Sequence, residues 1–478
     1  MKQDSYKKNQ IKDRDVDIAD WYNDIVLKAE LADYAPVKGC MVIRPYGYAL
    51  WESIQSFLDR LIKEHGVKNA YFPLFIPMHY MQKEKEHVKG FSPELAIATI
   101  AGGEKLTEEL AIRPTSETIM YDMYRKWTNS WRDLPVLINQ WCNVVRWEKR
   151  TYLFLRTSEF LWQEGHCAHL THEESTDTVI WAINAYKKTY NDLMSIYGIV
   201  GVKSESEKFA GAVKTYTFES LMPNGKSLQT CTSHDLGQNF SKSFEWTVQG
   251  KDSDKIYPWQ NSWGFSTRSI GALILAHGDK NGLVLPPNIA PIQIVIVPIP
   301  NHQDAQKYAE TLFSSLKSKY RVEIDTAEGE TAGYKFNKWE VKGVPIRLEI
   351  GNKEAENQKV TLFRRDTGEK VSSDLQDLEN SLNKLMLEIQ TSLFNKHKKF
   401  TEEHTYNVND YTEFKKIMST TKGFISAHWC ENAECEANIK TETTATTRCL
   451  PIDAKEEKGK CILCGKESNH RWIFGQSY

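Results

Sequence analysis

The segment Val145-Arg146-Trp147-Glu148, followed after a short loop by Arg156-Thr157-Ser158-Glu159-Phe160 and then Glu164, constrains this chain more than any other. Its aromatic and β-branched residues, from Val136 to Trp147 and again beyond the loop, predict two strands joined by that loop. A hairpin of this kind presents arginines and carboxylates on one face. The arginine fork clamps phosphate or carboxylate through paired hydrogen bonds, and an aromatic such as Phe160 can stack on a purine. The plain alternative is a solvated charged hairpin. It explains any single arginine well and the whole spacing poorly.

Composition narrows the setting. The chain of 478 residues has room for two to four domains and an ample core. Its 61 basic and 63 acidic side chains leave a formal net charge of −2, which argues against a wholly cationic nucleic-acid binder and against a disordered polyelectrolyte. The N-terminal MKQDSYKKNQIKDRDVD alternates charges around no apolar core, so no secretory signal is expected. The longest apolar run, residues 292–299, is too short to span a bilayer. Cys40, Cys142, Cys167 and Cys231 are scattered without a framework spacing, which predicts reduced thiols, a cytoplasmic protein and no membrane partner.

Periodicity predicts a helix from Pro45 to Gly66 and another from about Glu173 to Tyr197. Strands are predicted at residues 70–76, 136–147 and 215–219. Strands joined by irregular loops favour an antiparallel α+β sheet over a doubly wound one. After Pro286-Pro287 the pattern changes to a compact α/β unit, with strands near residues 293–297, 321–325, 345–350 and 359–364. A helix near residues 374–395 leads into a tail rich in cysteine. The segments expected are a polar N-terminal extension at 1–20, a main domain at 21–286, an α/β domain at 287–397 and a small α/β tail domain at 398–478.

That tail contains Cys430-x4-Cys435 and, after 25 intervening residues, Cys461-x2-Cys464. Two short thiolate pairs are what a tetrahedral structural Zn²⁺ requires. Ordinary buried or disulfide cysteines are the alternative, and Cys449 has no partner at ligand spacing. A redox role for Cys461-x2-Cys464 is disfavoured because no thioredoxin-like unit follows it.

The hairpin resembles motif 2 of the class II aminoacyl-tRNA synthetases, and other stretches of the chain fit that family. Residues 39–45 resemble motif 1, the dimer-forming element, and Gly264-Phe265-Ser266-Thr267-Arg268-Ser269-Ile270-Gly271 resembles motif 3. Arg113-Pro114-Thr115-Ser116-Glu117, Trp162-Gln163-Glu164-Gly165-His166 and a polar loop from Gln229 to Phe240 add a closer likeness. Together they resemble prolyl-tRNA synthetase of the archaeal and eukaryotic type, a class IIa enzyme, from about residue 15 to the C-terminus.

The resemblance implies a class II antiparallel-sheet catalytic domain, an α/β anticodon-binding domain and a zinc-binding C-terminal domain. It implies a homodimer whose substrates are L-proline, ATP with Mg²⁺, and tRNA(Pro). Proline would be held by Thr115, Glu117, Arg146, Phe160, Trp162, His166 and His234. A secondary ammonium has two donors, which a carboxylate and a neighbouring oxygen can satisfy; helix capping by Thr115 and Glu117 is the alternative. ATP would meet Arg146, Glu148, Arg156, Phe160, Gln229, Thr232, Ser266 and Arg268, with Arg146 and Arg268 catalytic through charge neutralisation. Cys231 and Ser266 depart from the family's usual glycine and threonine, and Cys231 puts the loop's shape in doubt. Glu340, Arg347 and Lys353 would read anticodon guanines, the alternative being a solvated charge face. Cys430, Cys435, Cys461 and Cys464 would hold zinc. Only about 110 residues separate motifs 2 and 3, which leaves no room for an internal editing domain, so uncorrected activation of alanine or cysteine is expected. The competing readings are a catalytically silent synthetase-like RNA-binding or regulatory protein, and a sister class IIa enzyme for threonine, histidine or glycine. A threonine enzyme's catalytic zinc could draw on His166 and Cys167, but neighbours on a strand face opposite ways.

Overall fold

A computed structural model describes residues 11–81, 94–300 and 302–478, so the first ten residues of the expected extension lie outside it. The remainder of that extension is partly helical. Asp17 caps the helix Ile18–Lys28 by accepting from the backbone N–H groups of Ala19 and Asp20, and the helix buries Trp21, Tyr22, Ile25 and Val26.

The frame is an eleven-stranded sheet. In spatial order its strands are Lys68–Asn69, Val136–Val145, Glu159–His169, Trp259–Ser266, Ser227–Gly237, Lys214–Leu221, Ile199–Val202, Ala445–Pro451, Arg471–Gln476, Phe424–His428 and Thr405–Asn407. All neighbours run antiparallel except the outermost pair at each end. The motif 2 hairpin pairs Val136 with Ala168 through to Val145 with Glu159. Helices Pro45–Glu64, His172–Lys188 and Arg268–His277 contribute to the principal core with Trp263, Phe265 and Phe218.

The helix Pro45–Glu64 forms as its spacing predicts, with proline in the first turn and Leu50, Ile54 and Leu58 buried. Three expectations need correction. The strand expected at 70–76 is reduced to Lys68–Asn69 and Phe75–Pro77, because the carbonyls of Phe72 and Pro73 turn to accept from the Arg113 guanidinium. The helix expected to reach Tyr197 stops at Lys188 and continues only as a wider turn, Thr189–Leu193. The polar loop expected at Gln229–Phe240 is mostly the strand Ser227–Gly237, at the centre of the sheet. Its alternating Thr and Ser suit a strand with one face on the core and one on a polar cleft.

Residues 294–374 form a separate five-stranded sheet in the order Val322–Ile324, Ile294–Pro298, Ile346–Ile350, Lys359–Arg364, Lys370–Asp374. Its own core includes Leu378, Leu382, Leu385, Ile389 and Leu393 of the long helix Leu378–Glu403. The C-terminal strands instead join the main sheet. Leu450 pairs with Val202 and Pro451 with Gly201. A Cβ on Gly201 would lie 2.6 Å from Cys449, so glycine permits this approach.

Candidate active site

The central strands expose one face to a cleft of about 430 Å³. Phe160, Trp162, Glu164 and His166 lie two apart on Glu159–His169 and therefore share that face. Cys167, between them in register, is fully buried in the opposite core, so it forms no metal pair with His166. Thr232 and His234 enter from Ser227–Gly237, and Ser262, Gly264 and Ser266 from the neighbouring strand. Cys231 is buried in a strand rather than a loop, next to an irregularity in that strand's pairing.

Arg113 fixes the fourth wall. Its guanidinium donates to the carbonyls of Phe72 and Asn143 at 2.8 Å each, and its own carbonyl accepts from Val145 N–H at 3.0 Å. Thr115 and Glu117 are thereby set beside Arg146, with the Thr115 hydroxyl donating to the Glu117 carboxylate. Arg146 donates through Nε to the carbonyl of Pro114 at 3.1 Å and lies over the rings of Trp162 and Phe160 at 5.3 and 5.7 Å. Among the described residues, its two terminal nitrogens have no hydrogen-bond partner.

Glu164 organises the buried floor. Its carboxylate accepts from Gln140 Nε2 at 2.9 Å and from Ser116 Oγ, and bonds His166 Nε2 at 3.0 Å. Burial works against both charges of that pair. Glu117 and Glu164 nevertheless raise His166, while His166, Ser116 and Gln140 lower Glu164. Across the cleft His234 is the opposite case. Burial first, then the charges of His166 and Arg146, pull it down to about 3, and it bonds Thr215 and Thr232 at 3.0 Å each. In one pocket, then, burial keeps His234 neutral while the carboxylates around His166 favour its charged form.

Toward the mouth, Arg268 opens the helix Arg268–His277. It donates to Leu155 O at 3.0 Å and to Gln229 O at 3.3 Å, and its backbone N–H meets Ser266 Oγ at 3.3 Å. Burial and then the charge of Arg146 depress Arg268. An anion between the two relieves that repulsion. Arg156 pairs with Glu148 at 2.8 Å and shares with Arg268 and Gln229 a second cavity of about 480 Å³. The structure therefore brings together every expected cleft residue: Thr115, Glu117, Arg146, Phe160, Trp162, His166, His234, Gln229, Thr232, Ser266 and Arg268 in the first cavity, Glu148 and Arg156 in the adjoining one.

The sequence reading missed several cleft residues. Glu164 carried a signal, being the acidic end of the hairpin pattern, but no site role was expected of it. Phe209, whose ring lies tilted 4.6 Å from that of His234, and Glu207 come from a loop with no motif.

The second expected site is more divided. Arg347 is buried between the rings of Phe336 and Phe363, at 4.1 and 4.0 Å, and pairs with Glu340 at 3.0 Å and Glu349 at 2.8 Å. Lys353 is exposed on the following helix Asn352–Asn357, and its side chain takes no part in these bonds. In the tail, the Sγ atoms of Cys430, Cys435, Cys461 and Cys464 all lie within 4.8 Å of one another, with Cys430 at 3.7 Å from Cys435 and 3.6 Å from Cys464. Tetrahedral zinc with Zn–S bonds of about 2.3 Å separates its sulfurs by about 3.8 Å, so the donors fit. Cys449 is buried elsewhere, against Leu221 and Phe424.

Comparison with known proteins matches three stretches of the chain. Residues 99–277 match the tRNA synthetase class II core domain (G, H, P, S and T), 293–385 the anticodon binding domain, and 411–478 the prolyl-tRNA synthetase C-terminal family. A proline–tRNA ligase of Alkaliphilus oremlandii is 49% identical over 470 residues, covering 98% of each chain. One from Natranaerobius thermophilus is 51% identical over 467 residues, covering 97% of this chain and 96% of the relative. Prolyl-tRNA synthetase from Cryptosporidium parvum, solved with halofuginone and AMPPNP, superposes with a TM-score of 0.95 at 41% identity, over 98% of this chain and 100% of that one. The same enzyme with L-proline and AMP gives 0.93 at 40% identity, over 98% and 97%.

Proposed function

Because the chain belongs to the class II prolyl-tRNA synthetases, we propose the following division of labour within its cleft. The chain acts as a proline–tRNA ligase, activating L-proline with ATP and passing the prolyl group to tRNA. The observation that carries the assignment of roles is Arg146, half-buried, bonded to the Pro114 carbonyl alone and lining the first cavity beside Thr115, Glu117 and Arg268.

In this reading Glu117 and Thr115 receive the secondary ammonium of proline, while Trp162, Phe160 and His166 close around the ring. The neutral His234 forms the far wall without adding a second cation near the ammonium. Arg146 holds the proline carboxylate against the α-phosphate. Arg268 and Arg156 hold the outer phosphates, Gln229, Thr232 and Ser266 line the nucleotide, and Glu148 meets the adenine edge. ATP enters as its Mg²⁺ complex. A carboxylate oxygen attacks the α-phosphorus, the bond to pyrophosphate breaks, and prolyl-adenylate forms. The terminal ribose hydroxyl of tRNA(Pro) then attacks the prolyl carbonyl and AMP leaves. Positioning and charge neutralisation provide the rate, with no protein nucleophile needed.

Cys430, Cys435, Cys461 and Cys464 are proposed to hold a structural Zn²⁺ that ties the tail's turns together. Of the three anticodon candidates, Glu340 and Lys353 are proposed to face the anticodon, with the buried Arg347 holding Glu340 in place. The archaeal and eukaryotic architectural type is retained as a proposal, supported by full-length coverage of the Cryptosporidium chain although the curated relatives described above are bacterial. Exposed Tyr34, Val37, Val42 and Tyr48 around the motif 1 segment support a homodimer. A cytoplasmic setting is supported by nine cysteines free of disulfides; among the described residues no helix is long and apolar enough to cross a membrane. Activation of alanine and cysteine without correction in this chain remains expected. The domain limits of 21–286, 287–397 and 398–478 stand as a proposed division of the chain, with the helix Leu378–Glu403 running across the last limit. Charging of a tRNA(Pro) transcript by the purified chain, with ATP and proline, tests the whole reading. Prolyl-tRNA should accumulate, and its failure to form with properly folded protein would contradict the reading.

A further inference from the structure

The proline activation proposed above uses no residue of the C-terminal strands, yet one of them reaches the ATP cavity. Arg448, on Ala445–Pro451, lines the second cavity with Arg156, Arg268 and Gln229. It also donates twice to one oxygen of Glu219, at 3.0 and 2.9 Å, and through Nη1 to Thr446 Oγ1 at 3.0 Å. Glu219 is fully buried on Lys214–Leu221. It accepts in addition from Lys203 Nζ at 2.7 Å, Thr217 Oγ1 at 2.9 Å and Ser227 Oγ at 2.8 Å.

Two details give this cluster a direction. First, Arg448 is the stronger of the two cations that hold Glu219 ionised, while Lys203 Nζ at 2.7 Å leaves the carboxylate one buried partner when Arg448 is replaced. The other carboxylate acting on Arg448 is Glu207, on the wall shared by both cavities. Second, the ladder between Lys214–Leu221 and Ser227–Gly237 slips at this point. Phe218 faces Cys231 and Glu219 faces Gln229, so Thr230 is bulged out. Glu219 therefore anchors the strand on the side of the bulge that carries Ser227 and Gln229, and the Gln229 carbonyl is the acceptor for Arg268.

We propose that Arg448 is a positioning residue for ATP: through Glu219 and Ser227 it holds the bulged strand that sets Gln229 and Arg268, so the C-terminal strands form part of the phosphate side of the active site. The inference rests on the proposed activation chemistry. Its test is steady-state pyrophosphate exchange by the full-length chain, with ATP and proline varied separately. Arg448→Met leaves the Lys203–Glu219 pair balanced. The KM for ATP should rise about tenfold, that for proline should change less than about twofold, and Arg448→Lys should recover part of the loss. Should Arg448→Met not fold, Ser227→Ala breaks the same chain of bonds without changing charge, and should raise the KM for ATP about threefold with proline unaffected. An unchanged KM for ATP in whichever variant folds, or equal rises for both substrates, overturns the inference. Absence of proline-dependent exchange in the unaltered chain would instead count against the activation chemistry itself.

Discussion

Two arginines, Arg146 and Arg347, have similar surroundings and opposite degrees of satisfaction. Arg347 is buried and Arg146 half-buried, and both lie against two aromatic rings. Arg347 spends its nitrogens on Glu340, Glu349 and the carbonyl of Phe336. Arg146 meets a single carbonyl and leaves its fork toward a cavity. A cation partly withdrawn from water and short of partners costs free energy that a ligand's anion can restore, whereas a saturated one mainly organises its neighbours. The first describes a binding group. The second describes a scaffold that could present Glu340 to RNA.

The largest expected effect breaks the comparison on the Arg146 side. Arg146→Ala should lower proline-dependent pyrophosphate exchange by about a thousandfold or more while leaving the melting temperature nearly unchanged, since no described partner is orphaned except the Pro114 carbonyl. Persisting exchange would remove Arg146 from the mechanism. Arg347→Ala should do the reverse. It strands the Glu340 carboxylate and leaves Glu349 to Lys370 Nζ at 2.6 Å, so stability should fall by about 3 kcal/mol in denaturant titrations. Exchange by the folded fraction should persist and tRNA charging should drop; equal loss of both activities would contradict an anticodon role.

These outcomes also separate what was legible in the chain from what was not. The cleft could be read because its groups lie on a hairpin and on strands with a period of two, so Phe160, Trp162 and His166 follow from one another. Glu207 and Phe209 could not, because a loop between strands gives no periodic signal. The stretch Gln229–Phe240 was misread as a loop because a strand facing a polar cleft lacks the apolar alternation that marks strands on a dry core. The burial of Arg347 was hidden for a similar reason: Phe336 and Phe363, 11 positions before and 16 after it, meet it only in the folded sheet. Strand pairing of the tail with residues 201–202 was likewise beyond any local pattern.

Smaller effects sharpen the contrast between cleft and tail. Removing zinc with a chelator, or substituting Cys435→Ser, should lower the melting temperature by several degrees. The indoles of Trp429 and Trp472, 4.9 Å apart beside the cysteines, should report the change in fluorescence. No response of either would argue against a bound ion.

A gradual pH effect should come from the interior histidines. Burial is the chief cause holding His234 and His277 down to about 3 and His169 and His397 to about 4. Their unfolded values lie near 6.5, so as pH falls below that the unfolded chain binds protons the folded one refuses. Stability should therefore decline from about pH 6.5 toward pH 4, by at most about 1.4 kcal/mol per pH unit for each histidine. His166, raised by its carboxylate neighbours, opposes this. Its contribution is present below about pH 6.5 and is lost as pH rises through its folded value. Urea midpoints between pH 4 and 8 measure the balance, and a flat profile would count against it.

The central claim is that the cleft built around Arg146 activates proline with ATP. Pyrophosphate exchange measured with a panel of amino acids tests it most directly. Proline should support rapid exchange, alanine and cysteine slow exchange at high concentration, and threonine, histidine and glycine essentially none. Exchange supported best by one of the last three, or none with proline, would contradict the account.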